Sequence, residues 1–360
     1  MKNFELKVSA PGRLCLFGEH QDYFGLSIIA AAINSRISIS GRKREDKKYK
    51  ILMPDIKDKD EFFLNKELPY CQERDYLRSA VNILQREGIN LSSGWNCLIK
   101  GNLPINSGSA SSSALVVAWI KFLLEASGDF RHLTPEKIAE LGFLAEVAEF
   151  KEPGGKMDHY SSSLGGVLSI HFDQNPQVKK LKSPLKEFVL ADSLQKKETT
   201  GILGHIKSHV LHGVAMVKKK IRTFNLKSPL TEEVQREIEK LPGEEKRLLH
   251  GTLLTRNVTK EGETLFESDR FDHNRFGELL SYQHSVLRDY LQISTPKIEA
   301  MIDSALQAGA LGAKINGSGG GGCIFAYAPE KAGHVAEALK KLGAKTYIIR
   351  VDKGARIENQ

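Results

Sequence analysis

Residues 108–126 run from a turn of glycine and serine straight into a strongly apolar helix, beginning Gly108-Ser109-Ala110-Ser111-Ser112-Ser113-Ala114-Leu115. Small residues let backbone N–H groups approach an anion, and a helix N-terminus carries about half a positive charge. Serine hydroxyls at that point can ligate Mg²⁺. No G-K-[ST] follows, so this is not a Walker A loop. A flexible serine-rich linker is the competing reading, and the apolar helix directly behind the turn argues against it.

Two further glycine-marked blocks and an acidic helix end flank this turn. In Pro11-Gly12-Arg13-Leu14-Cys15-Leu16-Phe17-Gly18-Glu19-His20-Gln21-Asp22, a strand delivers Arg13 and a turn presents Glu19, His20 and Asp22 within four positions. That mixture of acceptors and donors suits neutral hydroxyls, although a polar turn with an N-cap Asp reads the same way. Gly312-Ala313-Lys314-Ile315-Asn316-Gly317-Ser318-Gly319-Gly320-Gly321-Gly322 precedes a strand. Consecutive glycines cost backbone entropy, which fits close approach to a ligand or to another loop better than a simple turn. Glu146 and Glu149, three apart on a helix end, are expected to share a face, and the loop through Gly154 and Gly155 brings Asp158 toward the serine turn. One carboxylate for Mg²⁺ and one for proton handling is what phosphoryl transfer requires; a solvated acidic helix end is the alternative.

The 360-residue length predicts two domains. Elements alternate throughout. Strands are expected in the first third and at 95–100, helices at 75–87, 108–126 and 135–150, and a strand at 167–172. The lysine-rich stretch 173–186 reads as a domain boundary. Beyond it come a strand at 188–191, then mainly helices, a strand or turn at 312–316, and strands at 323–328 and 345–351. Strands in both halves with helices on one side predict a two-layer α+β protein, divided at 1–185 and 186–360, with the last strand able to return to the first domain.

The four cysteines are far apart, with no metal or disulfide spacing, which suggests reduced thiols. The longest apolar runs fall far short of a membrane span, and no signal-peptide core appears near Met1, so the expected location is cytoplasmic. The net charge of +8 comes from lysines that are scattered or in short runs, which excludes a dedicated nucleic-acid surface. His205, His209 and His212 fall at i, i+4 and i+7 of a helix. With no carboxylate at matching spacing, they read as a half-exposed face rather than a metal site.

Taken together and in this order, the blocks resemble the GHMP kinases, the small-molecule kinases that include galactokinase, homoserine kinase and mevalonate kinase. The resemblance spans Ser9 to Val351 and implies two domains. The first is like domain 2 of ribosomal protein S5, the second is ferredoxin-like, and ATP with Mg²⁺ binds between them. The first block is most similar to the galactokinase signature. By that resemblance Arg13 and Asp158 are catalytic, and Glu19, His20, Asp22, Gly155 and Asp158 bind the sugar. Tyr76 lies near adenine; Asn106, Ser107, Gly108, Ser109, Ala110, Ser111, Ser112, Ser113, Gly319 and Gly320 surround ATP; and Ser113 and Glu146 hold the metal, with Glu149 as the rival ligand. The implied reaction is phosphorylation of the anomeric hydroxyl of a monosaccharide, galactose first.

The sequence also departs from that pattern. The serine turn is one residue longer than the galactokinase form, as in glucuronokinases, and Ser109 and Ala110 replace the usual Gly and Leu. The Gly154–Tyr160 stretch looks somewhat like heptose and fucose kinases, and the third block has the look of mevalonate kinases. Other acceptors therefore stay open: glucuronate, L-arabinose, fucose, N-acetylgalactosamine or a heptose phosphate. So does a non-catalytic sugar sensor. The oligomeric state is not legible.

Overall fold

The structure, a computed structural model, describes residues 4–104, 108–130, 134–172, 175–196 and 199–358. Its first lobe is organised by two long antiparallel strands, β1 (Leu6–Phe17) and β2 (Ile28–Lys43). From Val8 onward every residue of β1 is buried, so the strand is covered on both faces and reads as apolar rather than alternating. What looks in the sequence like two short strands on each side is one continuous pair, with register shifts at Pro11/Arg13 and Cys15/Phe17. A bulge in place of a break re-aims Arg13 while the ladder continues.

β3 (Lys48–Met53), β4 (Asp58–Phe63) and, after helix α1 (Tyr76–Arg86), β5 (Trp95–Gly101) extend the sheet from the far half of β2. Helices α2 (Ser111–Ser127), α3 (Pro135–Phe143) and α4 (Met157–Leu164) follow, then β6 (Val167–Phe172) and β7 (Pro176–Leu181). β6 pairs with the near half of β2, so the sheet forks there. One stretch corrects the sequence expectation and another goes beyond it. Residues 176–181, read as a lysine-rich linker, form an edge strand against β6, where outward lysines discourage further pairing. Residues 157–164 form a helix whose serines are buried and bonded to backbone carbonyls, such as Ser162 to Pro11.

α2 is the central helix of this lobe. Trp119 is fully buried, stacks on Phe122 at 5.6 Å, and donates from its indole to the Leu77 carbonyl at 3.0 Å. Asp75 caps α1 by accepting from the Arg78 N–H, which fixes that helix against α2.

The second lobe comprises β8 (Phe188–Asp192), helices α5 (Thr199–Lys218), α6 (Glu232–Glu239), α7 (Gly243–Glu267), α8 (His273–Val286) and α9 (Pro296–Gln307), then β9 (Gly312–Ile315), β10 (Cys323–Tyr327), α10 (Ala332–Lys341) and β11 (Lys345–Ile349). Its sheet is antiparallel, ordered β11-β8-β10-β9, with helices between β8 and β9 and between β10 and β11. That is the β-α-β-β-α-β arrangement of ferredoxin-like folds.

The chain then returns to the first lobe, where β12 (Arg356–Ile357) pairs with β1. Arg36 holds this segment, donating to Ser9, Asp352, and the Lys353 and Gly354 carbonyls at 2.7–2.9 Å. Gly165 permits the crossing: at φ +70° its backbone passes so near Gly354 that a Cβ would lie 1.8 Å from the Gly354 nitrogen.

Cys15, Cys97 and Cys323 are buried while Cys71 is exposed, and burial pushes the Cys15 and Cys97 thiols up. One thiol in four should therefore react promptly with Ellman's reagent in the native protein, and all four after denaturation. Mass mapping of the modified peptide should place the fast site at Cys71.

Candidate active site

Arg13, delivered by the β1 bulge, is 4% exposed and grips Asp158 with two bonds, Nε to Oδ1 at 2.7 Å and Nη2 to Oδ2 at 2.8 Å. A third bond from Nη1 reaches the Gly108 carbonyl in the serine turn. Burial disfavours the guanidinium charge, but Asp158 more than offsets it and raises the Arg13 pKa. Asp158 stands in the first turn of α4, where a carboxylate suits the helix dipole.

Asp22 is held close by. Its Oδ2 accepts from the Met157 N–H at 3.1 Å and its Oδ1 from the Tyr23 N–H at 3.0 Å. This approach needs Gly155, where a Cβ would sit 2.1 Å from Asp22 Oδ2. Burial, followed by the neighbouring Asp158 charge, raises the Asp22 pKa. His20 adopts φ +60° and places Nε2 3.2 Å from the Ser318 carbonyl and Nδ1 2.7 Å from the Tyr23 hydroxyl. A carbonyl only accepts, so the neutral ring carries its proton on Nε2 and Nδ1 accepts from Tyr23. The Tyr23 phenol, pushed well up by burial, remains the donor.

Glu19 is engaged differently from its neighbours. At 1% exposure, its Oε1 pairs with Lys314 and its Oε2 accepts from Gln283 at 3.0 Å. Lys314, fully buried, also donates to the Cys15 and Ile315 carbonyls at 3.1 and 3.2 Å, so all three of its donors are used. Burial raises the Glu19 pKa, and Lys314 opposes the rise. Glu19 therefore reaches the cleft wall with both oxygens already committed to the second lobe.

The serine turn enters α2 through Ala110 in the left-handed region, φ +59°, and Ser109 is pinned by its hydroxyl to the Pro104 carbonyl at 3.1 Å. Gly108, Ala110, Ser111, Ser112 and Ser113 line a cleft of about 340 Å³ together with Arg13, Asp22, Glu146 and Asp158. Asn106 and Ser107 lie outside the described residues. A groove of about 870 Å³ on the outer face of β3–β5 is larger but contains none of the motif residues.

Glu146 and Glu149 do not share a face, contrary to the helical spacing. After α3 the chain widens into a π turn over Leu144–Ala148, closed by the Glu149 N–H to the Leu144 carbonyl at 3.0 Å. The extra residue in the turn swings the two carboxylates apart. Glu146 is 6% exposed in the cleft wall, 2.7 Å from His159 Nε2, whereas Glu149 turns outward to Arg86 and Tyr70. The Ser113 hydroxyl and Glu146 carboxylate are hard oxygen donors in one cleft, the chemistry that suits a Mg²⁺ ion also held by waters and phosphates.

Tyr76 lies in the wall, its hydroxyl donating to Glu152 at 3.2 Å. Of the glycine run, Gly317 and Ser318 line the cleft. Gly319 and Gly320 turn away: the Gly320 N–H donates to the Ile293 carbonyl at 2.7 Å, and a Cβ on either glycine would strike Ile293 or Ile202. Asn316, absent from the sequence-based set, ties the blocks together. It accepts from the Cys15 N–H at 3.0 Å and donates to the Arg13 and Gly108 carbonyls at 3.3 and 2.9 Å. Lys314, Gln283 and His159 likewise carry no local sequence signal. Lys314 and Asn316 sit inside the glycine block, but only the fold shows that they face β1.

Comparison with known proteins places this geometry among relatives. Family models match at residues 3–43 (galactokinase galactose-binding signature), 75–166 (GHMP kinases N terminal domain) and 265–345 (GHMP kinases C terminal). A mevalonate kinase of Thermococcus gammatolerans is 32% identical, with 97% of both chains covered. A galactokinase of Haemophilus influenzae is 29% identical, covering 95% of this chain and 89% of its own. The crystal structure of Lactococcus lactis galactokinase complexed with galactose superposes with a TM-score of 0.85 at 21% identity, covering 98% and 94% of the two chains.

The buried Lys314–Glu19 pair predicts a large penalty for removing one partner. Lys314→Met should cost about 3–5 kcal/mol, read from the urea midpoint. Adding Glu19→Gln should recover most of it; equal loss in the single and double variants would show that the pair is not the source.

Proposed function

As this chain belongs to the GHMP kinases and is an ATP-dependent small-molecule kinase, we propose that it phosphorylates the anomeric hydroxyl of a neutral monosaccharide, galactose foremost. The observation that carries this reading is the galactose-binding signature over residues 3–43, whose Asp22 is held beside Asp158 in the cleft.

Charge supports a neutral acceptor. The arginines of the cleft wall are both spent, Arg13 on Asp158 and Arg74 on Glu152 at 2.7 Å. A carboxylate or phosphate on the acceptor would meet Asp22 and Asp158 with no uncommitted arginine among the described lining residues to offset it. That argues for galactose, fucose, L-arabinose or N-acetylgalactosamine over glucuronate, a heptose phosphate or mevalonate. Mevalonate stays as the second reading because mevalonate kinases are as similar in sequence as galactokinases.

In the proposed reaction the acceptor oxygen forms a bond to the γ-phosphorus while the bond from that phosphorus to the β-bridging oxygen breaks. Asp158 takes the hydroxyl proton; each of its oxygens keeps a lone-pair site after bonding Arg13. Arg13 fixes the plane of that carboxylate and offsets charge gathering on the phosphoryl oxygens. Asp22 orients the sugar, with His20 bracing that turn between Tyr23 and Ser318, and the α2 N-terminus, with residues 108–113, faces the phosphates. Ser113 and Glu146 would hold Mg²⁺, which supplies neutralisation of phosphate charge. Positioning and electrostatics dominate such a transfer.

Asp158→Asn should lower kcat by roughly 10²-fold or more, with the circular dichroism spectrum unchanged. Near-normal turnover would remove Asp158 from proton transfer. An ADP-release panel over the neutral sugars, glucuronate, a heptose phosphate and mevalonate should favour galactose by on the order of 10³-fold in kcat/KM. A preference of that size for mevalonate would replace the sugar reading.

A further inference from the structure

The histidines of α5 acquire in three dimensions the carboxylates that their own helix lacks. α7 begins alongside α5 and presents Glu244 and Glu245 to them. His205 Nε2 lies 3.0 Å from Glu244 Oε1, and His209 Nε2 lies 3.7 Å from Glu244 Oε2. The two rings sit 4.5 Å apart, and one ligand atom from each of His205, His209 and Glu244 falls within 4.8 Å of the others.

The other edge of His209 decides what this cluster can hold. Its Nδ1 is 3.2 Å from Glu245 Oε1, which also lies 3.0 Å from His212 Nδ1. A carboxylate only accepts, so His209 donates through Nδ1–H and the neutral ring aims its Nε2 lone pair toward Glu244. A lone pair facing a carboxylate is repulsive unless a proton on Nε2 or a cation stands between them, and a divalent ion can take that place. This is also the arrangement by which proteins orient metal-binding histidines: one ring nitrogen donates to an outer carboxylate, leaving the other free to coordinate. Arg247 also reaches Glu244, 3.2 Å from Oε1, and is tied by its other amino group to the Tyr290 carbonyl, so it lies against Oε1 and not against the Oε2 that faces His209.

We propose that His205, His209 and Glu244 form a binding site for a borderline divalent transition-metal ion of the Zn²⁺ class at the α5–α7 seam, with Glu245 orienting His209. Two imidazoles and one carboxylate select such an ion over Mg²⁺ or Ca²⁺, which prefer all-oxygen sets. Three protein ligands leave a fourth position for water, in keeping with their partial exposure. The site is distinct from the cleft, yet it bears on it: Thr200 and Leu203, in the first turns of α5, line the cleft wall. An ion joining α5 to α7 would hold that wall in place.

The test uses the full chain without a histidine tag, stripped with EDTA. Titration calorimetry with ZnCl₂ should show one equivalent bound, with a zinc-dependent rise in Tm. Millimolar Mg²⁺ and saturating ADP should leave the binding intact. Co²⁺ in place of Zn²⁺ should give the visible absorption of a low-symmetry nitrogen–oxygen site. His205→Ala and His209→Ala change half-exposed side chains, and each should abolish binding. Glu245→Gln should weaken it by on the order of 10- to 100-fold while leaving the ligand set intact. No binding to the stripped protein, loss of binding on adding ADP with Mg²⁺, or unchanged stoichiometry in the two histidine variants would overturn the proposal.

Discussion

A lysine and a glutamate, both sealed from water, join the two lobes: Lys314 on β9 and Glu19 just past β1. Neither charge can be buried alone, so β9 must meet the end of β1 wherever the second lobe docks. Asn316, two residues on, then fills the backbone positions that Cys15, Arg13 and Gly108 leave open. The glycine run that follows has no side chains to obstruct this contact. The cleft is thus a by-product of a polar seam, and its residues are positioned because the seam permits one registration of the lobes.

Around the cleft, positive charge is rationed. Arg13 is committed to Asp158, Arg74 to Glu152 and Lys314 to Glu19. Among the described residues, the cleft then offers a ligand chiefly the α2 N-terminus and its serines on one side and carboxylates on the other. The two sides of the cleft therefore differ in charge. This division explains why a basic overall charge says little about what binds.

Much of the site was legible in the sequence because its parts are short and local. The strand–turn carrying Arg13 and Asp22, the small-residue entry to α2, and Asp158 after its glycine pair are each read from a dozen residues. Other parts depend on relations that no local pattern contains. Helical spacing put Glu146 and Glu149 on one face; the π turn that separates them is a tertiary adjustment, invisible to periodicity. The serine-rich helix 157–164 lacks an apolar stripe because it is buried on nearly all sides. The lysine-rich strand 176–181 exists because β6 offers it an edge. His205 and His209 looked unpartnered because Glu244 arrives from another helix.

The clamp that Arg36 places on residues 352–354 bears on how the chain is made. β1 leaves the ribosome before the second lobe, and the strand that covers its outer edge leaves only after the whole of that lobe. During synthesis the first lobe must wait with an open, apolar-faced strand edge and with the Arg36 guanidinium lacking its carbonyl partners. Completion of one lobe is thereby made conditional on translation of the other, and a ribosome stalled inside the second lobe would leave exposed the edge most prone to pair with another chain.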